Sequence, residues 1–342
     1  MNTTRTPLTL PELGFGCATL GDPAQPLSET QAQATFQAAW DRGIRYFDTA
    51  PWYGNTKSEH RLGYFLRQQP VEDFIISTKV GRVYSRPADR EAFKSSPWMK
   101  RWAGGLPFDL RFDYTRAGIF RSYEDSLQRL GLNRVDALVI HDLDPRHQRS
   151  EEGVLHGLHA LDADGGHAAL AELKRNGEIK AIGAGVNHVG MIPRFVERFD
   201  LDFFLVAMPY TLLDQSALDE ELPLCLERNI DVIVGAPFAS GILATGARPG
   251  ALYDYKGASA QVLERVASME SVAKRHSVTL TAAALQFPLA HPAVVAVIPG
   301  PNSPEQVTAN VEAFNAAIGP AFWADLKAEG LIREAAPVPG PA

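Results

Sequence analysis

Cysteine is nearly absent from this 342-residue chain: Cys17 and Cys225 are the two present, without pairing partners or metal-ligand spacing. That excludes a disulfide scaffold and points to a reducing, cytoplasmic compartment. No apolar run approaches the ~18 residues that a membrane helix needs. The opening Met1-Asn2-Thr3-Thr4-Arg5-Thr6-Pro7 lacks the apolar centre of a secretory signal. Basic charge is also short, since 33 Lys and Arg face 40 Asp and Glu for a net charge of −7. With no dense Lys/Arg run, a nucleic-acid partner is not expected. Neither an internal repeat nor a low-complexity tract occurs. What remains, 45% hydrophobic and 21% charged residues, is the composition of an ordinary globular protein with a large core.

The apolar pattern alternates short strand-like runs with helix-like segments. A first strand is expected within 14–21. A helix follows, with Ser28 and Gln31 as a capping pair and Gly43 as its stop. A second strand, 44–47, ends at Asp48, and a helix over about 56–67 follows. The third, 74–78, ends at Lys79, and the fourth, 135–140, ends at His141, after a helix over 115–130. Further strands are expected at 179–183, 203–207, 230–234 and 294–298. Helices are expected at 168–176, 189–198, 214–229, 260–276 and from Ser303 onward. Long loops are read after strand three (81–113, an insertion), after strand four (142–167) and after strand seven (235–258). Eight strand-then-helix units favour an α/β fold closed as a single-domain (β/α)8 TIM barrel over 1–342. An open doubly wound sheet is the alternative.

Polar residues at successive strand ends carry the chemistry. A tyrosine hydroxyl titrates near ~10 in water, too high for easy proton exchange at neutral pH. A neighbouring ammonium favours the phenolate, and a carboxylate beside that ammonium holds it in place. Tyr53, Lys79 and Asp48 supply these three parts, and His141 can hold the reacting oxygen. The set fits proton transfer coupled to hydride transfer at a carbon–oxygen centre.

The stretch Phe47-Asp48-Thr49-Ala50-x-x-Tyr53-Gly54, with Glu59, Ser77-Thr78-Lys79 and Ile140-His141, resembles the aldo-keto reductase family over essentially the whole chain. The resemblance implies a (β/α)8 barrel that binds an extended nicotinamide dinucleotide. It also implies Asp48, Tyr53, Lys79 and His141 as the catalytic tetrad. Leu13-Gly14-Phe15-Gly16-Cys17-Ala18, Tyr210-Thr211-Leu212-Leu213-Asp214-Gln215 and Ser240-Gly241-Ile242-Leu243 are similar to the bacterial aldose dehydrogenases of that family and their pyridoxal-oxidising relatives. These oxidise a cyclic hemiacetal hydroxyl to a lactone. The expectation is therefore oxidation of an aldose at C1 by the L-fucose/D-threo-aldose type of reaction. The alternatives are pyridoxal oxidation, general aldehyde or ketone reduction, and a non-catalytic nucleotide-binding regulatory subunit.

The same resemblance implies cofactor contacts at Asp48, Asn187, Phe238, Ser240, Gly241, Leu243, Gly300, Asn302, Gln306 and Asn310. Asn187 matches the family's carboxamide-binding asparagine. Its usual serine neighbour is Val186, and the usual glutamine after strand six is Met208. The stacking tyrosine after strand seven falls on Gly235, with Phe238 as the substitute. Gly300 and Gln306 stand where many NADP-dependent members carry Lys and Arg, so NAD is favoured, with NADP possible.

Other signals are weaker. His147, His156, His159 and His167 follow no zinc spacing and read as residues of a solvated loop; no metal is expected. Gly14-x-Gly16-x-x-Thr19 lacks the third glycine of a dinucleotide fingerprint. Trp52 adjoins Tyr53 and is the leading candidate for a substrate wall, with Trp98, Trp102 and Phe108 behind it. His141 and Asp142 are candidate substrate contacts, with Asp144 beside them. A small sugar or aldehyde is the expected partner.

Overall fold

In the computed structural model, residues 7–96 and 101–340 are described; Trp98 lies outside them. Eight parallel strands form one sheet in chain order: β1 Phe15–Gly16, β2 Tyr46–Asp48, β3 Ile75–Val80, β4 Ala137–Ile140, β5 Ala181–Val186, β6 Phe203–Ala207, β7 Asp231–Gly235 and β8 Val294–Ile298. A parallel bridge from Leu13 to Val297, with Gly14 N donating to Val297 O at 2.9 Å, joins the last strand to the first. The sheet is thereby a barrel. Its interior is filled by Tyr46, Val139, Phe203, Leu205, Ile233 and Ile298, and Leu8 and Leu10 join that cluster. A second, larger apolar layer lies between the strands and the surrounding helices.

Local sequence explains most helix ends. Ser28, Thr115, Ser259 and Ser303 each accept a backbone N–H from three residues on, which satisfies an orphan donor of the first turn. Gly131 closes the helix Arg116–Leu130 at φ 61, a conformation that needs no side chain.

Four expectations require correction. Residues 142–167 are largely helical, as Pro145–Gln148 and Glu151–Asp162, not a long loop. Val154, Leu158 and Leu161 give the second helix its buried stripe, and Gly157 lets Leu143 approach, since a side chain there would lie 2.3 Å from Leu143 Cδ1. The insertion 81–113 contains an antiparallel hairpin, Arg82–Ser85 with Asp109–Phe112. The expected helix 214–229 breaks into a turn, Ser216–Leu218, and a helix, Glu221–Arg228. Restarting at Glu221 places Pro223 in the first turn, where a missing N–H removes no bond. Strand five also sits later than expected because Gly183 and Gly185 continue it. Helices Leu280–Gln286 and Pro320–Ala328 complete the outer layer.

Candidate active site

Asp48, Lys79 and His141 come to one end of the barrel because each ends or follows a neighbouring parallel strand. Lys79 Nζ donates to Asp48 Oδ2 at 2.5 Å and to the Thr49 carbonyl at 2.9 Å. The other Asp48 oxygen accepts from Ser77 Oγ at 2.8 Å, and Ser77 Oγ also lies 3.0 Å from the Tyr46 hydroxyl. Both charged side chains are 2% exposed, so the pair is a desolvated one whose separation would leave a buried charge.

Tyr53 reaches the same point from the turn after β2. That turn packs backbone to backbone: Gly21 and Gly54 leave no room for a side chain at either position, where a Cβ would meet the other loop at 2.5–2.6 Å. The Lys79 ammonium lies 4.9 Å from the centre of the Tyr53 ring. The His141 ring stands 6.0 Å away and perpendicular to it. The four expected catalytic residues thus meet around one phenol. The proton balance differs from the sequence expectation. Burial, then the negative charge of Asp48 and of Asp142, pushes the Tyr53 hydroxyl well above its ordinary value. Lys79 is engaged by Asp48, so its charge does not win against desolvation. Burial holds His141 well below the usual imidazole range, and it is neutral.

These groups line a cavity of about 560 Å³ with Trp52, Trp102, Tyr255, Arg101, Arg146, Lys256, Asn187 and His147. Trp52 and Trp102 meet edge to face at 5.5 Å. Asp142, at φ 53, is a left-handed residue. Its Oδ2 accepts from Arg82 at 2.5 Å, and its Oδ1 accepts from Asn187 Nδ2 at 3.2 Å. Both carboxylate oxygens are therefore in use, which weakens Asp142 as a receiver of substrate hydroxyls. His147 is not a solvated loop residue. Its Nδ1 is 2.9 Å from Asp144 Oδ1, and Asp144 also accepts from Asn187 at 3.1 Å. Asp142, Asp144 and His147 gather closely enough to suggest a cation. N–H donors from Arg82, Asn187 and His147 already meet their oxygens, and the cluster is read as a hydrogen-bond network.

Sequence reasoning missed Arg82, Arg101, Arg146, Tyr255 and Lys256. Arg82 and Arg101 belong to the insertion, while Tyr255 and Lys256 sit on the small hairpin after β7; nothing local announces that these segments return over the barrel mouth. Arg146 holds that hairpin through Asp254 at 2.7 Å. His147 left a signal, since Asp144-Pro145 is a capped helix start three residues ahead of it.

Of the expected cofactor contacts, Asn187 faces the cavity, with Tyr53, Lys79 and His141 around it, whereas Asp48 is buried behind Lys79 and does not line it. Phe238, Ser240, Gly241 and Leu243 lie on the loop after β7. There Ser240 Oγ accepts from Tyr255 N at 2.9 Å, and the Leu243 side chain is in the core. Gly300 leaves space for the β1 loop: a Cβ there would sit 3.1 Å from Gly16 O. Gln306 Oε1 accepts from Asn302 N at 2.9 Å and so closes its helix start, while Asn310 is buried in the next turn. A flat carboxamide-bearing ring suits what remains. Asn187 has its amide nitrogen anchored and its oxygen available to accept, and the floor beside it is small or apolar, from Gly185, Val186, Leu205 and Ala207.

Fold and site together define a (β/α)8 barrel with a phenol, a buried ammonium–carboxylate pair and an imidazole gathered at one end. Residues 12–329 match the aldo/keto reductase family, and the chain belongs to that family. It is 42% identical to pyridoxal 4-dehydrogenase of Microbacterium luteolum, with 96% of each chain covered. To D-threo-aldose 1-dehydrogenase of a Pseudomonas species it is 37% identical, with 95% of each covered. Among solved structures, the holo form of aldo-keto reductase AKR11C1 from Bacillus halodurans superposes with a TM-score of 0.73 at 25% identity, over 98% of this chain and 96% of that one. Both cysteines are buried and neither is in a disulfide, and among the described residues no helix is long and apolar enough to cross a membrane.

Proposed function

We propose that this protein is an NAD(P)-dependent dehydrogenase that oxidises a cyclic hemiacetal hydroxyl to the lactone. The observation that carries this reading is the Tyr53 phenol set between the buried Lys79–Asp48 pair and a neutral His141, at the floor of an aromatic-walled cavity. Tyr53 removes the hydroxyl proton, and in the reverse direction returns it. Lys79, held by Asp48, places a positive charge beside the phenolate as it forms. His141 orients the reacting oxygen by a hydrogen bond. Asn187 would hold the carboxamide of a nicotinamide dinucleotide, which when bound would supply the hydride acceptor. Trp52 and Trp102 exclude water from the reacting carbon.

The two named relatives are both dehydrogenases, one of pyridoxal and one of D-threo-aldoses, so they differ in substrate. The wall favours a flat, anionic ring. Trp52, Trp102 and Tyr255 offer aromatic faces and edges, while Arg101 and Lys256 offer cations suited to a phenolate oxygen. Pyridoxal, whose hemiacetal carries such an oxygen, is the substrate we assign, and an aldose of the threo or L-fucose type is the second reading. For the cofactor, neither Gly300 nor Gln306 provides a charge-assisted bond to a 2′-phosphate. Each such bond would contribute roughly 1.5–3 kcal/mol to NADP binding, and without them NAD is the cofactor we assign.

NADH formation from pyridoxal, L-fucose and D-arabinose, each with NAD and with NADP, tests these assignments. Pyridoxal with NAD is expected to give the highest kcat/KM. A higher value for either sugar moves the assignment to aldose oxidation, and a preference for NADP refutes the cofactor reading. No turnover with any of them, despite tight nucleotide binding, supports a regulatory subunit instead.

A further inference from the structure

The hairpin inserted after β3 opens with Arg82, a cation that is 1% exposed. Its guanidinium lies between two aromatic rings, 4.3 Å from the centre of Trp52 and 4.6 Å from that of Phe112. Nη2 donates to Asp142, while Nε and Nη1 find no hydrogen-bond partner among the described residues. A buried arginine with unmet donors is an expensive way to fill space, which makes the group it holds the point of interest. Asp142 Oδ2 lies 3.3 Å from His141 Nε2, and its Oδ1 receives the Asn187 amide. One carboxylate therefore touches the imidazole that meets the reacting oxygen and the amide assigned to the cofactor. The arginine that fixes it also backs the tryptophan of the substrate wall.

We propose that Arg82 and Asp142 are positioning residues: Arg82 immobilises the carboxylate, the carboxylate holds His141 and Asn187 in register, and the guanidinium braces Trp52. The role in turnover rests on the dehydrogenase reading above, whereas the network itself does not. Through this wiring the insertion after β3 becomes part of the reaction centre.

Charge gives the proposal a signature that packing alone would not. His141 is faced by Asp142, Arg82, Lys79 and His147; burial has the largest influence, and Asp142 opposes it. Tyr53 is faced by Asp48, Asp142, Tyr255 and Cys17, with Lys79 over its ring. Asp142 is thus one of the groups that keep the phenol protonated. Removing its charge should let the phenolate form at lower pH.

The test uses Asp142→Asn, Arg82→Lys and the double variant Arg82→Met/Asp142→Asn in the full chain, with thermal melting to confirm folding. Arg82→Met alone would strand a buried carboxylate, and the double variant avoids that. Three quantities are read: kcat, the NAD dissociation constant from tryptophan fluorescence, and the pH midpoint of Tyr53 ionisation. The last comes from phenolate absorbance as a difference against Tyr53→Phe in the same background. In the double variant, kcat is expected to fall ~10–100-fold, the range of a small misplacement at a reacting centre. NAD binding should weaken in the double variant, and in Asp142→Asn, where Arg82 stays, the phenolate midpoint should move to lower pH. Arg82→Lys should keep the wild-type midpoint, because the charge on Asp142 remains, yet lose part of kcat because an ammonium does not lie flat between two rings. A kcat within about twofold of wild type in the double variant, or an unmoved phenolate midpoint in Asp142→Asn, overturns the proposal. If the wild-type chain oxidises no hemiacetal, the functional reading fails separately, and the phenolate titration still decides the network.

Discussion

At the scale of single residues, the site depends on two buried pairs of opposite charge: Lys79 with Asp48, and Arg82 with Asp142. Replacing Lys79 with Met leaves the Asp48 carboxylate without its ion partner, and removing one member of a buried pair costs about 3–5 kcal/mol. Urea unfolding should show a loss of that size, and adding Asp48→Asn should recover much of it. An unchanged unfolding midpoint in the single variant would mean that water reaches the pair. The proton on Tyr53 sets a second expectation. Its raised value means that at neutral pH the phenol is protonated, so the acid needed for reduction is present and the base needed for oxidation is scarce. Oxidation should therefore climb as pH rises through the alkaline range, and reduction should fall there. Profiles of kcat/KM in both directions check the sign, and oxidation that peaks at or below neutrality would contradict it. The gathering of Asp48, Tyr53, Lys79 and His141 was legible in the sequence because each follows or ends a strand in a fixed local pattern. Arg82 and Tyr255 were not, since their place depends on where hairpins fold back in space. The direction of the Tyr53 shift was also hidden: burial is a property of the assembled site, and the sequence shows only that a lysine is near.

At the scale of elements, the join between β3 and its hairpin decides how firmly His141 is held. Gly81 has φ 98, and a Cβ there would lie 2.1 Å from the Tyr114 ring. The hydroxyl of that ring donates to the His141 carbonyl at 2.7 Å. Gly81→Ala combines overpacking of ~1–3 kcal/mol with backbone strain of ~1–2 kcal/mol. It should lower the melting temperature and reduce kcat together, because relief of the clash moves Tyr114 away from His141. A variant as stable and active as wild type would show that the ring shifts freely. The helix Glu151–Asp162 reads as loop in sequence because its segment is polar and rich in histidine, and its buried stripe of Val154, Leu158 and Leu161 is short; Gly157 there marks a close approach to Leu143 and Tyr114. The strands with uninterrupted apolar runs, such as Phe203–Ala207, needed no tertiary information to be placed.

At the scale of the whole molecule, the barrel converts sequence order into proximity. Asp48, Lys79 and His141 come from consecutive strands paired in parallel register, with Ser77 opposite Asp48 and Val80 opposite Ile140, so a regular sheet delivers them to one rim. Turns and insertions then add what the strands lack: Trp52 and a phenol from the loop after β2, Trp102, Arg82 and Arg101 from the insertion after β3, and Tyr255 and Lys256 from the hairpin after β7. Strand count and order were readable from hydrophobic periodicity. The wall was not, because it is assembled from irregular segments whose contacts are non-local.

The claim on which all of this depends is that one phenol exchanges the proton of the reacting hydroxyl. Rapid mixing of NAD and pyridoxal with wild type and with Tyr53→Phe, followed by NADH absorbance in the first turnover, measures it directly. The account predicts a rate lower by ~10²–10⁴ in the variant, with the NAD dissociation constant within about twofold of wild type. First-turnover NADH formation at the wild-type rate without that hydroxyl would contradict it.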